Sequence, residues 1–582
     1  MTDWLIVLTI GIPWLGALAV WLTGDARPQL QHRLAVIFAV AAGAAAVALL
    51  PSTSSEVALR IEVGSIFGDF TFVPDGLGVF LAVVASVVGS LAVIFSVDYM
   101  HGEAQLGRYY TLVLLFIGAM VGLVLSGSML LLFIFWEITA LCSYALISFY
   151  NDDPKAVAGG IKALVITQFG GLGMLVGALI AYSYLGDYQI STFLAEADTL
   201  PSDVLAVMAF GFLAAAAAKS AQVPFHTWLP GAMEAPTPVS ALIHAATMVN
   251  AGVYLLARFY PAFEGVSGWT TAVILVGMVS ALLAAFMAIY ANDLKRALAY
   301  STISQLGYMV YAVGTGAIFA SQFHLLSHAV FKALLFLAAG AVIHTVGTRD
   351  MRQMGGLGKQ LPFVRNVFII GALALAGLPF VNGFWSKELV LEYGYKHGPL
   401  WAYVGMLIGA GLTALYTVRM VWMVFFGRSQ KRGHLHDAGP AMRVALGVLA
   451  VGTLTSWLLI GGFGEMLEEN LPFHHLHVES MATLLEEVVT APATYLALGV
   501  VAVGLLLWAW RDPLAMISAG LWPLGEAATH DFGFEWLNAR IVAGTRAAAG
   551  ALRTTQTGWL NWNVAGIIGG LLIVLVFLAL GA

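Results

Sequence analysis

Three titratable side chains stand four residues apart in an otherwise apolar stretch of the sequence. The segment FHLLSHAVFKALLFLAAG carries His324, His328 and Lys332. In an α-helix this spacing places the three groups in a line on one side, about 6 Å apart. Bridged by water, such a row predicts a path for protons, because histidine exchanges protons near neutral pH.

Two other interpretations of the histidine pair stay open. The spacing of His324 and His328 also fits metal ligands, although no cysteine or nearby carboxylate completes such a site. Hydrogen bonding between helices without proton transfer is the second alternative.

Further titratable residues interrupt apolar segments elsewhere. Glu137 lies in LLLFIFWEITALCSYAL, Lys219 follows a run of alanines, His244 lies in PTPVSALIHAATMV and Lys387 lies in SKELV. Charges inside a membrane are costly and therefore indicate function. If Glu137 and Lys219 meet, a movement of the carboxylate would make the lysine take up or release a proton. A fixed structural ion pair and, for Lys387, extension to the membrane surface are the alternatives.

The composition is that of a polytopic membrane protein. The 582 residues are 60% hydrophobic and 10% charged, whereas soluble domains have about a quarter of charged residues. The net charge of -6 argues against a nucleic-acid partner. The single cysteine, Cys142, excludes an intrachain disulfide and a thiolate cluster for zinc or iron–sulfur. The sequence has no nucleotide-binding loop, so we expect an ion conductor whose energy comes from a gradient or from partner proteins.

Apolar runs of spanning length predict about sixteen transmembrane helices. They fall at 2–22, 34–50, 78–98, 110–127, 128–149, 160–184, 203–221, 238–257, 268–290, 297–314, 319–344, 364–391, 400–426, 443–463, 491–510 and 561–581. The first run begins with an acidic residue and is long for a signal-peptide core, so it is interpreted as the first span. Lysine and arginine concentrate in the loops after odd-numbered helices, which predicts that these loops are cytoplasmic and that both termini are outside.

Two of these spans are predicted to be interrupted. AAAAAKSAQVPFHTWLPG and LALAGLPFVNGFWSKELV each place a lysine near a proline, five apparent helices apart. An odd offset inverts the second copy, and paired broken helices in inverted halves are typical of transporters. A separate segment, Phe532–Arg553, carries arginines among Ala, Val and Leu. It predicts either a surface helix about 33 Å long or an ordinary amphipathic connector.

The sequence resembles the large antiporter-like subunits of respiratory complex I and of Mrp-type sodium/proton antiporters. The motifs that carry the resemblance are AKSAQVPFHTWLPGAMEAPTPVSALIHAATMVNAGVYLLAR, DLKRALAYSTISQLGYM and HLLSHAVFKALLFLAAGAVIH. The resemblance implies an all-α membrane fold with two inverted five-helix halves and a buried charged axis at mid-membrane. The residues that match the family's coupling ion pair, its central relay and its terminal lysine near the outlet are, in that order, Glu137 and Lys219; His244, His324 and His328 with Lys332 beside them; and Lys387.

With the apolar runs as boundaries, this implied fold divides the chain into six regions. They are N-terminal transmembrane helices (1–109), a first inverted repeat (110–257), a second inverted repeat (268–426), additional transmembrane helices (443–510), a lateral surface helix region (513–558) and a final anchor (561–581).

Within the family, the L-type subunit of complex I fits best, because it ends with a long surface helix and a last span, as 513–582 does. This branch implies a proton-translocating subunit of an NADH-quinone oxidoreductase in the cytoplasmic membrane of a bacterium or archaeon. No redox site or cofactor is expected on this chain, and FMN, iron–sulfur clusters and quinone are expected in partner subunits.

The alternatives are an Mrp-type sodium/proton antiporter subunit and a subunit of a hydrogenase- or bicarbonate-linked complex. Gly171 stands where the L branch often carries an acid, and GLPFVNGFWSKE is more similar to the Mrp branch. The predicted surface helix is also short for an L subunit.

Overall fold

The computed structural model describes residues 2–64, 67–428, 435–474, 476, 478–513, 522–555, 564, 566 and 568–572. Most of this part of the chain is helical. The α-helices, in chain order, are α1 (Thr2–Thr23), α2 (Pro28–Ala48), α3 (Gly76–Tyr99), α4 (Leu106–Leu125), α5 (Met129–Ile147), α6 (Pro154–Leu185), α7 (Ile190–Glu196), α8 (Ser202–Lys219), α9 (Trp228–Gly231), α10 (Thr237–Ala241), α11 (Asn250–Phe263), α12 (Trp269–Tyr290), α13 (Leu294–Gly314), α14 (Ile318–Val346), α15 (Pro362–Ala376), α16 (Asn382–His397), α17 (Leu400–Val421), α18 (Pro440–Thr455), α19 (Ile460–Asn470), α20 (Met481–Thr490), α21 (Pro492–Ala509), α22 (Trp522–Thr529) and α23 (Phe534–Thr555).

Two π-helical segments and several short 3₁₀ turns complete the helical elements. The π segments are Leu242–Ala246 and Trp422–Phe426, and the 3₁₀ turns are Leu50–Ser52, Ala197–Thr199, Ala232–Glu234, Met351–Gln353, Leu357–Lys359, Ser456–Leu459 and Asp531–Gly533.

Among the described residues, thirteen helical stretches are long and apolar enough to cross a membrane, so the number sixteen is not confirmed. Two predicted spans account for part of the difference. Helix α13 is too rich in Ser, Thr, Gln and Tyr to count as apolar, and the run 364–391 is divided into α15 and α16. The run at 561–581 lies largely outside the described residues.

A short β-hairpin departs from the all-helical expectation. Strands β1 (Leu59–Glu62) and β2 (Asp69–Phe72) pair antiparallel, with Leu59 opposite Phe72 and Glu62 opposite Asp69. The stretch is too short and too weakly alternating to be recognised among long apolar runs.

Both predicted helix interruptions are present. Helix α8 ends at Lys219, and the chain turns through a cis Val223–Pro224 bond before α9. Helix α15 ends at Ala376, where Gly377 adopts a φ of +76°, a conformation that glycine tolerates best. A third interruption, which the sequence did not predict, is the π segment Leu242–Ala246 between α10 and α11.

The centre of the bundle is formed by the broken segment 237–263, which is buried along its length, and by α13 and α14. Asp293 caps the N-terminus of α13, and its carboxylate accepts a hydrogen bond from the Arg296 amide. Helix α14 ends at Val346 and is followed by Gly347, which has a φ of +77°. The central helices carry most of the polar residues singled out above, so the candidate site is surrounded by protein.

The chain divides into two compact units, residues 1–520 and 521–582. The second unit contains α22 and α23, and α23 (Phe534–Thr555) corresponds to the helix predicted at 532–553. Its lateral position, the six-region division and the orientation of the termini stay predictions.

Candidate functional site

Glu137 and Lys219 approach each other where α5 meets the end of α8. Lys219 is fully buried, and its Nζ donates a hydrogen bond of 2.8 Å to the backbone oxygen of Trp136. The ammonium lies 4.8 Å from the centre of the Trp136 ring. It interacts electrostatically with the half-buried Glu137 carboxylate, although no direct ion pair joins the two in the described part of the chain. Lys219 is therefore hydrogen-bonded to the backbone of the residue that directly precedes Glu137.

The Glu137 carboxylate lies against α6. Gln168 hydrogen-bonds it, while its Oε1 is buried and has no hydrogen-bond partner among the described residues. A Cβ atom at Gly171 would come within 2.9 Å of that oxygen and 3.4 Å of Trp136 Nε1. Because Gly171 has no side chain, the Glu137 carboxylate can occupy the space beside it.

His324 is the most fully bonded member of the row on α14. Its Nδ1 lies 2.9 Å from the Ser386 hydroxyl of α16, and its Nε2 lies 3.1 Å from Gln305 Oε1 of α13. The ring therefore connects three helices. Because both nitrogens are engaged, the geometry disfavours the metal-ligand interpretation.

Lys332 and His328 continue the row and are fully buried. The Lys332 ammonium donates to the Ser301 hydroxyl and, at 3.4 Å, to the Leu298 carbonyl oxygen, both on α13. Both ring nitrogens of His328 lack a hydrogen-bond partner among the described residues. Buried polar atoms of this kind are usually satisfied by ordered water.

His244 lies inside the π segment between α10 and α11. Its ring stacks on Phe336 of α14 with centroids 5.3 Å apart, and both its nitrogens are buried without a partner among the described residues. The Thr247 hydroxyl donates to the Leu242 carbonyl at 2.7 Å, and the Asn250 amide donates to a second carbonyl of the segment at 2.8 Å. These hydrogen bonds satisfy backbone carbonyl groups that the π segment leaves without a partner in the helix. Such π segments are frequent at functional sites.

Lys387 lies at the second interruption. It is 1% exposed, and its Nζ donates to the Leu375 carbonyl near the end of α15 at 3.1 Å. The ammonium also lies 5.5 Å from the centre of the Tyr308 ring. The interpretation of Lys387 as a side chain that extends to the membrane surface is therefore wrong, since the helix break supplies a buried carbonyl for it.

Two acidic residues beyond Lys387 are buried and were not predicted as site residues. Glu388 interacts electrostatically with Lys387, and Glu392 follows one turn later; the two glutamates are 1% and 5% exposed. Glu392 pairs with Lys396 at 2.9 Å. The i, i+4 spacing in KELVLEYGYK was the available signal.

This acidic row ends at a cavity of about 490 Å³. Its lining includes Glu392, Lys396, Glu487 and His474. His474 belongs to the loop before α20, and burial lowers its pKa below the usual value. The cavity connects the row on α16 with a loop region.

The structure thus places the seven predicted residues on neighbouring helices across the bundle. No hydrogen bond between described residues links Lys219 to His244, or Lys332 to Lys387. Transfer across these gaps needs water or side-chain movement.

Comparison with known proteins agrees with this arrangement. Residues 126–413 match the family described as "NADH:quinone oxidoreductase/Mrp antiporter, TM", and residues 61–110 match the N-terminus of chain 5 of NADH-ubiquinone oxidoreductase (complex I). The chain is 37% identical over 555 residues to NADH-quinone oxidoreductase subunit L of Escherichia coli, covering 89% of this chain and 88% of that protein.

Two further comparisons cover both branches. NAD(P)H-quinone oxidoreductase chain 5 of Synechocystis sp. is 37% identical over 523 residues, which cover 86% of this chain and 74% of the relative. The solved Mrp complex from Dietzia sp. superposes with a TM-score of 0.83 at 28% identity, over 99% of this chain and 63% of that one. The chain belongs to the family of antiporter-like membrane subunits that complex I and Mrp antiporters share.

Proposed function

We propose that the chain is the L-type, proton-translocating membrane subunit of a respiratory NADH-quinone oxidoreductase. The observation that carries this proposal is the row of titratable side chains, nearly all fully buried, that crosses the bundle from Glu137 on α5 to Lys387 on α16. Burying so many titratable groups in apolar surroundings is costly. A row of this kind therefore supports a role in moving protons.

The first step takes place at Glu137 and Lys219. A charge change in partner subunits would alter the position or protonation of the Glu137 carboxylate. Because the Trp136 carbonyl is the one hydrogen-bond acceptor that Lys219 Nζ meets within the described part of the chain, the nearby carboxylate contributes strongly to keeping it charged. Weakening that contact would make Lys219 release its proton towards the central helices.

The central relay then passes a proton between the two halves. His244 and His328 present ring nitrogens without protein partners, so water can bridge them. His324 is held by α13 and α16, and it interacts electrostatically with Lys387. A proton leaving this relay would reach Lys387 and then the neighbouring acidic side chain of Glu388.

The implied partners follow from this mechanism. The chain offers no visible redox site, so we infer that FMN, iron–sulfur clusters and quinone reside in partner subunits and that other membrane subunits adjoin this one. The location we propose is the cytoplasmic membrane of a bacterium or archaeon, with both termini outside.

An Mrp-type sodium/proton antiporter subunit is the second candidate. Two observations favour it. One is the superposition on the Mrp complex chain over 99% of this sequence. The other is Gly171, which stands where the L branch often carries an acid and where an added Cβ would lie 2.9 Å from Glu137 Oε1. In that case the same row of side chains would exchange protons for sodium without a redox partner.

The test is to extract the protein gently from native membranes and to identify what co-purifies. We expect iron–sulfur subunits and NADH–quinone activity in the same fraction. Only small membrane subunits, no redox activity and sodium-dependent proton movement in reconstituted vesicles would overturn the L-type proposal in favour of the antiporter.

A further inference from the structure

Three exposed histidines surround a pocket at one end of the bundle. His101 follows α3, His344 lies in the last turn of α14 and His436 precedes α18; with Asp98 and Asp437 they line a space of about 510 Å³. The loops at this end are the ones rich in lysine and arginine, which places the pocket on the predicted cytoplasmic side. Histidine is the side chain that exchanges protons most readily near neutral pH.

Helix α14 connects this pocket with the central relay. The positions that follow Lys332 at four-residue steps are Phe336, Gly340 and His344. Lys332 and His344 are twelve residues apart, or about 18 Å along the helix axis. A stripe of positions along α14 therefore leads from Lys332 to His344 at the pocket.

Each position of this stripe meets a polar residue of a neighbouring helix. His344 packs against the Tyr99 ring with centroids 5.3 Å apart, and Phe336 packs against His244 at 5.3 Å. Gly340 lies between them, where an added Cβ would be only 2.7 Å from the Thr237 methyl group. The glycine thus lets α10 press against α14.

Two hydroxyl groups bridge the pocket and the buried segment. Tyr99, the last residue of α3, lies with its hydroxyl 3.0 Å from the Thr237 hydroxyl. Tyr99 is half-buried beside the pocket, whereas Thr237 is 1% exposed. This hydrogen bond is therefore the boundary between the cytoplasmic pocket and the buried helix α10.

From Thr237 the polar groups continue to the relay. Ser240 and His244 follow at i+3 and i+7, which places them on the same side of the helix. The Ser240 hydroxyl and both nitrogens of His244 are buried and have no hydrogen-bond partner among the described residues. Three successive turns thus present polar atoms that water can join into a chain.

A charged cluster beside this route fixes the start of α10. Arg349 bonds Glu234 at 3.0 Å and Asp293 at 3.1 Å, and the Lys295 ammonium donates to the Ala235 carbonyl at 2.6 Å. Arg349 is thus paired with two carboxylates and Lys295 with a backbone carbonyl two residues before Thr237, so these groups fix the start of α10 and do not themselves form the opening.

We propose that the pocket and the Tyr99–Thr237 hydrogen bond form the cytoplasmic inlet through which protons reach His244. The inlet rests on the proposed proton-translocating function and adds the residues that admit the proton. Tyr99 and Thr237 pass the proton between pocket water and the water beside Ser240.

The test uses the full complex in membrane vesicles. Tyr99→Phe and Thr237→Val each remove one hydroxyl and keep the shape of the side chain. We expect each to slow proton translocation about tenfold, and Thr237→Ser to restore it. The matched control is Tyr110→Phe, which removes a hydroxyl bonded to His32 at 2.7 Å near the same end of the bundle and should leave translocation unchanged.

A second readout separates conduction from structure. The His344→Cys variant places a thiol at an exposed position in the pocket. It should react with a membrane-impermeant thiol reagent added from the cytoplasmic side only, and the reaction should block translocation. The unsubstituted chain is a clean background, because its one cysteine, Cys142, is buried.

Wild-type translocation in both hydroxyl variants, or absence of labelling in His344→Cys, would overturn the inlet. Lys387→Ala is measured beside them. If it also translocates protons normally, the proposed function itself fails; if it does not, only the inlet is wrong.

Discussion

Glu137 illustrates how a functional side chain depends on what its neighbour lacks. Its Oε1 occupies the space that a side chain at Gly171 would fill, 2.9 Å from the position of a Cβ there. The opposing contact is the end of a flexible side chain, so a substitution at Gly171 would displace the carboxylate and leave the helix backbone in place. The electrostatic contact between Glu137 and Lys219 is then the property that changes.

Gly171→Ala should therefore slow proton translocation about tenfold while the complex still assembles. The measurement is translocation in vesicles that contain equal amounts of assembled complex. Gly447→Ala is the matched control, because nothing lies within 4 Å of a Cβ at Gly447. Equal translocation in both variants would contradict this role of Gly171.

The sequence was informative about single residues wherever a charge interrupts an apolar run. All of the predicted histidines and lysines of the site are 0–1% exposed, and Glu137 is half-buried; their roles stay predictions. Glu392 was missed because the spacing Glu388, Glu392, Lys396 looks like an exposed helix end. Helices α20 and α21 pack against α16. This packing cannot be predicted from the sequence of α16 alone.

At the scale of elements, the helix interruptions explain where the sequence succeeded and where it did not. Prolines and glycines indicated the breaks after α8 and α15. The π segment around His244 has no such marker, since the Thr247 and Asn250 side chains stabilise it by contacts within the fold. Helix α13 corresponds to the run predicted at 297–314, and its polar residues such as Ser301 and Gln305 bond the groups of α14.

One element contact predicts a large effect on stability. Asp75 caps the N-terminus of α3, and its carboxylate accepts hydrogen bonds from Arg258 of α11, one of them 2.9 Å long. Both residues are buried, at 3% and 5% exposure. Asp75→Ala leaves the guanidinium buried without its carboxylate, and should lower the free energy of unfolding by about 3–5 kcal/mol.

Denaturant unfolding of the purified protein measures this effect. Asp69→Ala is the control, because Asp69 pairs with Arg60 at 3.5 Å with both side chains at least 36% exposed; there we expect about 0–1 kcal/mol. Similar losses in the two variants would show that the buried pair does not hold α3 to α11.

At the scale of the whole molecule, the fold class and the family were accessible from the sequence because long motifs and apolar runs are themselves one-dimensional. The exact number of membrane spans cannot be read from the sequence in the same way, because it depends on where helices are interrupted and on central helices that contain many polar residues. The surface position of α23 and the last span are whole-molecule features that stay predictions, the latter because it lies largely outside the described residues.

The central claim is that protons move through the buried row. It is tested most directly by reconstituting the complex in liposomes and comparing Lys219→Ala and Lys387→Ala with Lys155→Ala, which alters an exposed lysine. We predict that the first two variants assemble but lose most proton translocation, while the third retains it. Full translocation in either Lys219→Ala or Lys387→Ala would contradict the claim.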